Sequence, residues 1–268
     1  MTPVVRPPIS TRREFLNLVV AAAGITASAR PARAANTTAI EALAFDALTT
    51  FDLRPVFTLA ERLFPGRGTD LSAAWRTRQF EYTWLRALSG RYADFWTVTE
   101  EALVFAANML RLELDPDRRA QLMNAYLGLK AYPDALPALR LLKDSGIRLG
   151  FLTNMSPKML DAAIDSAGLG GIFEQRLSTD AIRTYKPDPC AYHMAIDAFG
   201  LRLAQIGFVA FGGWDVAGAR SFGYTTFWVN RLGLPMEELG TSPDGIGASL
   251  TDLAAFMRLS PGRADTSR

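Results

Sequence analysis

Four polar groups stand where apolar runs end, and together they could form a charged site that holds an anionic ligand. Asp46 closes the run IEALAFD at 40–46, and Thr153 with Asn154 closes LGFLTN at 149–154. Lys186 follows a short strand-like stretch, and Asp215 lies just beyond IGFVAF at 206–211. Dispersed along a chain such residues mean little; at the carboxyl ends of neighbouring parallel strands they would converge. An aspartate in that place also faces backbone N–H groups, which favour its ionised form and can hold a nearby anion. Cys190 and His193, the single cysteine and the single histidine, form a weaker pair, because no third group is visible to orient them.

The elements that would position these groups can be read from periodicity. A buried strand covers 40–46, and helical spacing follows at 56–64, 71–88, 93–112 and 116–132. Pro65, Gly66 and Gly68 break that block, and Asp115 before Pro116 is a helix start. From residue 134 helices and strands alternate. Helices are predicted at 134–145, 156–167, 189–199, 214–222 and 250–257, with strands at 149–154, 173–178, 206–211 and 226–230. Such alternation implies an α/β fold, a Rossmann-like parallel sheet covered on both faces. The early helical block then reads as an inserted all-helical cap. The predicted divisions are a core at 35–54 and 131–258, a cap at 55–130 and a disordered tail at 259–268. Cap and core would enclose a pocket at the carboxyl ends of the strands.

The 268 residues are 49% hydrophobic, enough for one substantial core. The net charge of +2 comes from the first 34 residues, which hold Arg6, Arg12, Arg13, Arg30 and Arg33 against Glu14. Without them 24 basic and 26 acidic residues remain, and no basic stripe suggests a nucleic-acid partner. Arg12 and Arg13 precede Phe15 and Leu16, an apolar Ala-rich run follows, and Ala32, Arg33 and Ala34 form a small-x-small pattern. This order resembles a twin-arginine signal peptide at 1–34. It implies a periplasmic address, the twin-arginine export machinery as a partner, and no stable membrane insertion.

Longer stretches are more specific. Phe45 with Asp46, Ala74-Trp75-Arg76, Phe80-Glu81-Tyr82-Thr83-Trp84-Leu85-Arg86, Arg91-Tyr92, Tyr185-Lys186-Pro187-Asp188, Trp214-Asp215 and Gly218-Ala219-Arg220 run through nearly all of the chain after residue 34. In these segments the chain resembles the haloacid dehalogenase superfamily, in its type II (S)-2-haloacid dehalogenase branch. The resemblance implies a metal-independent, cofactor-free enzyme that turns a small 2-haloacid into a 2-hydroxy acid and halide. Asp46 is implied as the nucleophile, Arg76 as the residue that receives the halide, and Asn154 and Phe95 as its neighbours. The backbone N–H groups of Ala47 and Leu48, with Thr153, are implied for the substrate carboxylate. Lys186 would neutralise charge beside Asp46, and Asp215 would orient Lys186 and help activate water. Tyr192 and Trp214 match supporting substrate-site positions. The resemblance also admits a homodimer formed through the cap.

Some positions depart from the branch pattern. FDxYGTLFD is here Phe45-Asp46-Ala47-Leu48-Thr49-Thr50-Phe51-Asp52, one residue shorter and without its Gly. Thr50 is assigned the loop threonine's role, with Thr49 as the alternative. Leu48 stands two places after Asp46, where phosphoryl-transferring relatives carry a second Asp, so an alkoxide leaving group would lack a proton donor. Ala210 and Gly212 replace the branch's Ser and Asn, and Thr77 replaces a Gln. These changes leave two further readings: a periplasmic small-carboxylate binding protein with impaired turnover, or another hydrolase of the superfamily. Residue by residue, Lys186 could be a solvated charge, Arg76 could pair with Glu81, Thr153 could serve only its own turn, and Asp215 could be a helix cap.

Overall fold

A computed structural model describes residues 39–259. The export signal assigned to 1–34, and all of the 259–268 tail except Leu259, lie outside the described residues.

The core begins with β1 (Ala42–Phe45), followed by a 3-10 turn at Ala47–Thr49 and the two-residue β2 (Phe51–Asp52). Four helices come next: α1 (Arg54–Leu63), α2 (Gly68–Leu88), α3 (Phe95–Met109) and α4 (Pro116–Ala125). Then follow β3 (Lys130–Ala131), α5 (Ala135–Asp144), β4 (Arg148–Thr153), α6 (Pro157–Ala167), β5 (Gln175–Ser178) and α7 (Pro189–Phe199). The chain continues through β6 (Ile206–Ala210), α8 (Gly213–Phe222), β7 (Thr225–Val229), β8 (Gly245–Gly247) and α9 (Leu250–Phe256). Six strands form one parallel sheet in the order β5-β4-β1-β6-β7-β8.

The strands alternate side chains between two apolar layers, as their pleat requires. Ala42 and Ala44 of β1 join Leu152, Tyr192, Phe199, Phe208, Ala219 and Trp228, so α7 and α8 cover that face. Leu43 and Phe45 join Leu139, Leu142, Met159, Ile164, Leu250 and Leu253, so α5, α6 and α9 cover the other. The second layer runs without a break into the helical cap through Val56, Leu71, Trp75, Val98, Leu103 and Leu122. β1 lies between β4 and β6, and successive connections leave it in opposite directions across the sheet. That switch opens a crevice at the carboxyl end of β1, the place where open parallel sheets bind ligands.

The expected helix over 116–132 is shorter. It starts as predicted, with Asp115 accepting from the Arg118 N–H at 2.7 Å, but α4 ends at Ala125 and a 3-10 turn covers Tyr126–Gly128. Lys130 and Ala131 then pair antiparallel with Asp52 and Phe51. This ladder joins the two stems of the helical insertion, and its backbone bonds replace those of a longer helix. β8 also departs from expectation. Its glycines allow close packing: a Cβ on Gly245 would meet Phe256 at 2.6 Å, and one on Gly247 would meet Asp252 at 2.3 Å.

Candidate active site

Strand register places the first acid. Phe45 of β1 lies level with Phe151 of β4 and Val209 of β6, and the Asp46 N–H donates to Val209 O at 2.9 Å. Asp46 is thus the first residue past the sheet at its central strand, flanked by the ends of β4 and β6. Its carboxylate caps the 3-10 turn, with Oδ1 accepting from the Leu48 N–H at 2.8 Å.

Lys186 reaches this point from the loop between β5 and α7. Its Nζ donates to Asp46 Oδ2 at 2.7 Å and to Asp215 Oδ2 at 2.6 Å. It also lies 5.0 Å from the centroid of the Phe208 ring. An ammonium has three donors, and these three acceptors meet them without water. Lys186 is wholly buried, so it is no solvated helix-start charge. Burial pulls its pKa down, but the charges of Asp215 and Asp46 outweigh this and hold it above the ordinary lysine value. Asp215 responds in the opposite sense: burial drives its pKa up, Lys186 draws it down, Asp46 pushes it up again, and the result is about 6. Nor is Asp215 the helix cap, since Gly212 holds that place and α8 begins at Gly213.

Asp46 and Asp215 open onto a cavity of about 280 Å³, shared by core and cap. Arg76, Phe80 and Phe95 line it from α2 and α3, and Tyr126 from the turn after α4. Thr153, Asn154 and Met155 line it from the end of β4, and Phe211 through Trp214 from the end of β6. Leu48 completes the floor, with Leu232, Leu234 and Glu237 at the rim. Arg76 does not pair with Glu81, which binds Arg78 at 2.7 Å instead. The Asn154 Oδ1 accepts from the Lys186 N–H at 2.9 Å, and its Nδ2 is buried without a hydrogen-bond partner among the described residues. Thr153 does serve its own turn, since its hydroxyl oxygen accepts from the Met155 N–H at 3.1 Å, but it also faces the cavity. Cap and core are joined beside the site: Trp84 Nε1 donates to Lys186 O at 3.2 Å, and the Tyr92 hydroxyl to Asp180 at 2.6 Å.

Several assigned residues lie elsewhere. Tyr192 does not line the cavity; its hydroxyl donates to Asp215 Oδ1 at 2.7 Å from beneath. Thr50 does not reach the Asp46 carboxylate and lies 3.4 Å from the Thr49 hydroxyl, which itself donates to Asp46 O at 2.7 Å. Both threonines are fully buried and brace the turn. The Leu48 N–H is already committed to Asp46, and Ala47, backbone included, is fully buried and does not line the cavity, so neither assigned amide is placed to meet a substrate. Cys190 is exposed, and His193 lies 3.2 Å from Asp197, so this pair forms no site. Sequence reasoning missed Gln79, Tyr126 and the rim loop; the only signal was Gln79 lying three residues after Arg76 on one helix face.

Two acids with a lysine between them do not suit a magnesium ion. Mg²⁺ prefers several oxygen ligands, whereas Lys186 already occupies one oxygen of each carboxylate and Leu48 offers no side-chain oxygen. Gly212 brings compensation for its missing side chain. A Cβ there would meet Trp214 Nε1 at 2.7 Å, so the indole N–H occupies that room.

The Asp215 carboxyl sets an expected pH dependence. Where this acid must be ionised to accept a proton from water, turnover falls below about pH 6, approaching tenfold per pH unit. The Tyr192 hydrogen bond holds the Asp215 pKa down, so Tyr192→Phe shifts the acid limb to higher pH. A pH–rate profile for both proteins checks this; an unmoved acid limb in the variant counts against Asp215 as its source.

The buried acid–lysine–acid line, the cap arginine and the α/β core define the chain as a member of the haloacid dehalogenase-like hydrolase family, whose model matches residues 13–223. The chain is 42% identical over 227 residues to an (S)-2-haloacid dehalogenase of Pseudomonas sp. (strain YL), covering 84% of this chain and 98% of that one. It is 41% identical over 206 residues to haloacetate dehalogenase H-2 of Moraxella sp. (strain B), covering 76% and 92%. Among solved structures it resembles a crystal structure of an L-2-haloacid dehalogenase at 46% identity and TM-score 0.81, covering 82% of this chain and 100% of that one. It also resembles the Xanthobacter autotrophicus L-2-haloacid dehalogenase with chloropropionic acid covalently bound, at 37% identity and TM-score 0.76, covering 82% and 98%.

Proposed function

We propose that this chain hydrolyses small (S)-2-haloacids to 2-hydroxy acids through an ester on Asp46. The observation that carries the reading is the placement of Asp46: nearly buried, held by Lys186, and open to a cavity that Arg76 lines from the cap. A carboxylate oxygen of Asp46 bonds to C2 as the carbon–halogen bond breaks, and the halide leaves with the bonding electrons. Arg76 supplies a delocalised, weakly hydrated cation that suits a departing halide better than a lysine does. The unpartnered Asn154 Nδ2 and the edge of Phe95 complete its surroundings. Thr153, which lines the cavity, is assigned to the substrate carboxylate. Water then attacks the Asp46 ester carbonyl and gives a proton to Asp215. The bond from the ester carbonyl carbon to the C2-bearing oxygen breaks, that oxygen takes up a proton, and the 2-hydroxy acid departs with inverted configuration.

Halide leaves unprotonated, so Leu48 in place of a second acid is no obstacle. Asp215 and the Trp214 indole N–H remain beside the cavity to hold water although Ala210 and Gly212 contribute no polar side chain, which favours turnover over mere binding. Purified protein with EDTA should release chloride and hydroxy acid from chloroacetate and (S)-2-chloropropionate. Intact mass should show the unmodified chain after the substrate is consumed. A persistent adduct on Asp46 would favour trapping without release, and absence of both products across short-chain haloacids would sink the proposal. A periplasmic address, through the twin-arginine machinery, belongs to the same reading. It is supported by the order of Arg12, Arg13, the apolar run and Ala32-Arg33-Ala34, and N-terminal sequencing of protein recovered from periplasm tests it.

A further inference from the structure

We propose that Gln79 is a positioning residue that aims Arg76 into the cavity, through a buried relay running from Phe95 O by way of Thr99. The inference rests on the dehalogenase reading and extends it to residues that touch no substrate.

The relay is continuous. The Thr99 hydroxyl donates to Phe95 O at 2.5 Å. Having donated there, Thr99 Oγ1 can only accept from Gln79, whose Nε2 lies 2.5 Å away. That settles which end of the Gln79 amide is nitrogen, and it turns the other end, Oε1, toward Arg76. Arg76 Nη1 donates to this oxygen at 2.6 Å, and its guanidinium stacks 4.7 Å from the Phe80 ring centroid. Gln79 and Thr99 are both fully buried, so neither is held by solvent.

The choice of a neutral amide matters. Arg76 has no carboxylate ion-pair partner among the described residues, while Arg78 and Arg86 on the same helix are paired with Glu81 and Glu101. A glutamate at 79 would aim the arginine equally well but would cancel its charge. A glutamine fixes the direction and leaves the full positive charge for an anion. The relay also starts at the carbonyl of Phe95, whose own side chain lines the cavity. The cation from α2 and the aromatic wall from α3 are therefore set against each other by one chain of hydrogen bonds. The Trp75 Nε1 donates to Thr99 O at 2.7 Å and clamps the same two helices.

The test uses Gln79→Met, Thr99→Val and Thr99→Ser in the full chain. Misplacing a reacting group by about 1 Å can cost on the order of 100-fold in rate. Single-turnover formation of the Asp46 ester, followed by intact mass, should fall about 10- to 100-fold in Gln79→Met and Thr99→Val. The fall should be larger with 2-chloropropionate than with 2-bromopropionate, because the poorer leaving group depends more on the arginine. Thr99→Ser keeps the hydroxyl and should restore the parent rate, although neither substitution at 99 touches Arg76. Line broadening of chloride in NMR gives a readout that needs no turnover: the parent broadens the signal, and Gln79→Met and Thr99→Val lose most of that effect.

If the parent turns over and both disrupting variants match it for chloro and bromo substrates, the relay is overturned while the dehalogenase reading stands. If the parent does not turn over, that reading fails and the chloride signal alone decides. Loss confined to the disrupting variants supports the relay; equal broadening in all four proteins, or none in the parent, overturns it. Should Gln79→Met not fold, Thr99→Val compared with Thr99→Ser decides between the same two outcomes.

Discussion

Replacing Asp46 by Asn is expected to lower halide release by on the order of 10⁴-fold or more, the scale seen when a covalent catalyst loses its nucleophile. A neutral carboxamide has no anionic oxygen to displace halide. Its oxygen can still accept from the Leu48 N–H, so the turn keeps its shape. Its nitrogen, in the place of Oδ2, faces Lys186 donor to donor, and Lys186 retreats to a one-to-one pair with Asp215. The protein should fold, and Arg76 and Asn154 should still attract chloride. Chloride release and intact mass check the prediction, with Asp46→Ala as a control against deamidation of the new side chain. Residual turnover above about one part in a hundred, or an adduct mapped to another residue, would require a different nucleophile.

The second large effect is expected at Lys186. Lys186→Met fills similar space but leaves Asp46 and Asp215 facing one another without the cation between them. Removing one partner from a buried charged cluster costs about 3–5 kcal/mol. For a domain of this size that lowers the melting temperature by roughly 10 °C. Two adjacent carboxylates cannot both stay ionised, so one takes a proton and Asp46 is weakened as a nucleophile at neutral pH. Turnover is expected to fall at least about 1000-fold, since both steps lose charge balance. Stability in the variant should partly recover as the pH drops toward 5, because a proton then takes over part of the cation's role. Thermal melts at pH 7.5 and pH 5 test this. A variant equally stable at both pH values, with near-normal turnover, contradicts a charge balance held by Lys186.

Much of the arrangement was legible in the chain itself. Strands ending in Asp46, in Thr153 and Asn154, and just before Asp215 can be read from apolar runs that stop at polar residues. Their convergence follows once a parallel sheet is assumed. The long cap helices were visible because Asp115-Pro116 and the Pro65–Gly68 break mark their ends. What stayed hidden depends on contacts between distant segments. β2 and β3 are two residues each and exist only because the stems of the insertion meet, so no local pattern announces them. The family resemblance assigns Tyr192 to the substrate site, whereas packing against Phe208 and Tyr224 puts it under Asp215. The resemblance assigns the Leu48 amide to substrate, but the cap of the 3-10 turn brings it back to its own aspartate. Gln79 and Thr99 are 20 residues apart on different helices, and only their packing makes a relay of them.

Arg231, just after β7, donates twice to Thr49 O, at 3.1 and 2.8 Å, and binds Asp134 with both of its terminal nitrogens at 2.9 Å. Asp134 in turn accepts from the Leu250 N–H at 2.8 Å. The turn after Asp46 is thus moulded from outside by a fork anchored in the far half of the chain. A loop templated in this way need not encode its own bend, and none of its residues takes the positive φ for which a glycine would be needed.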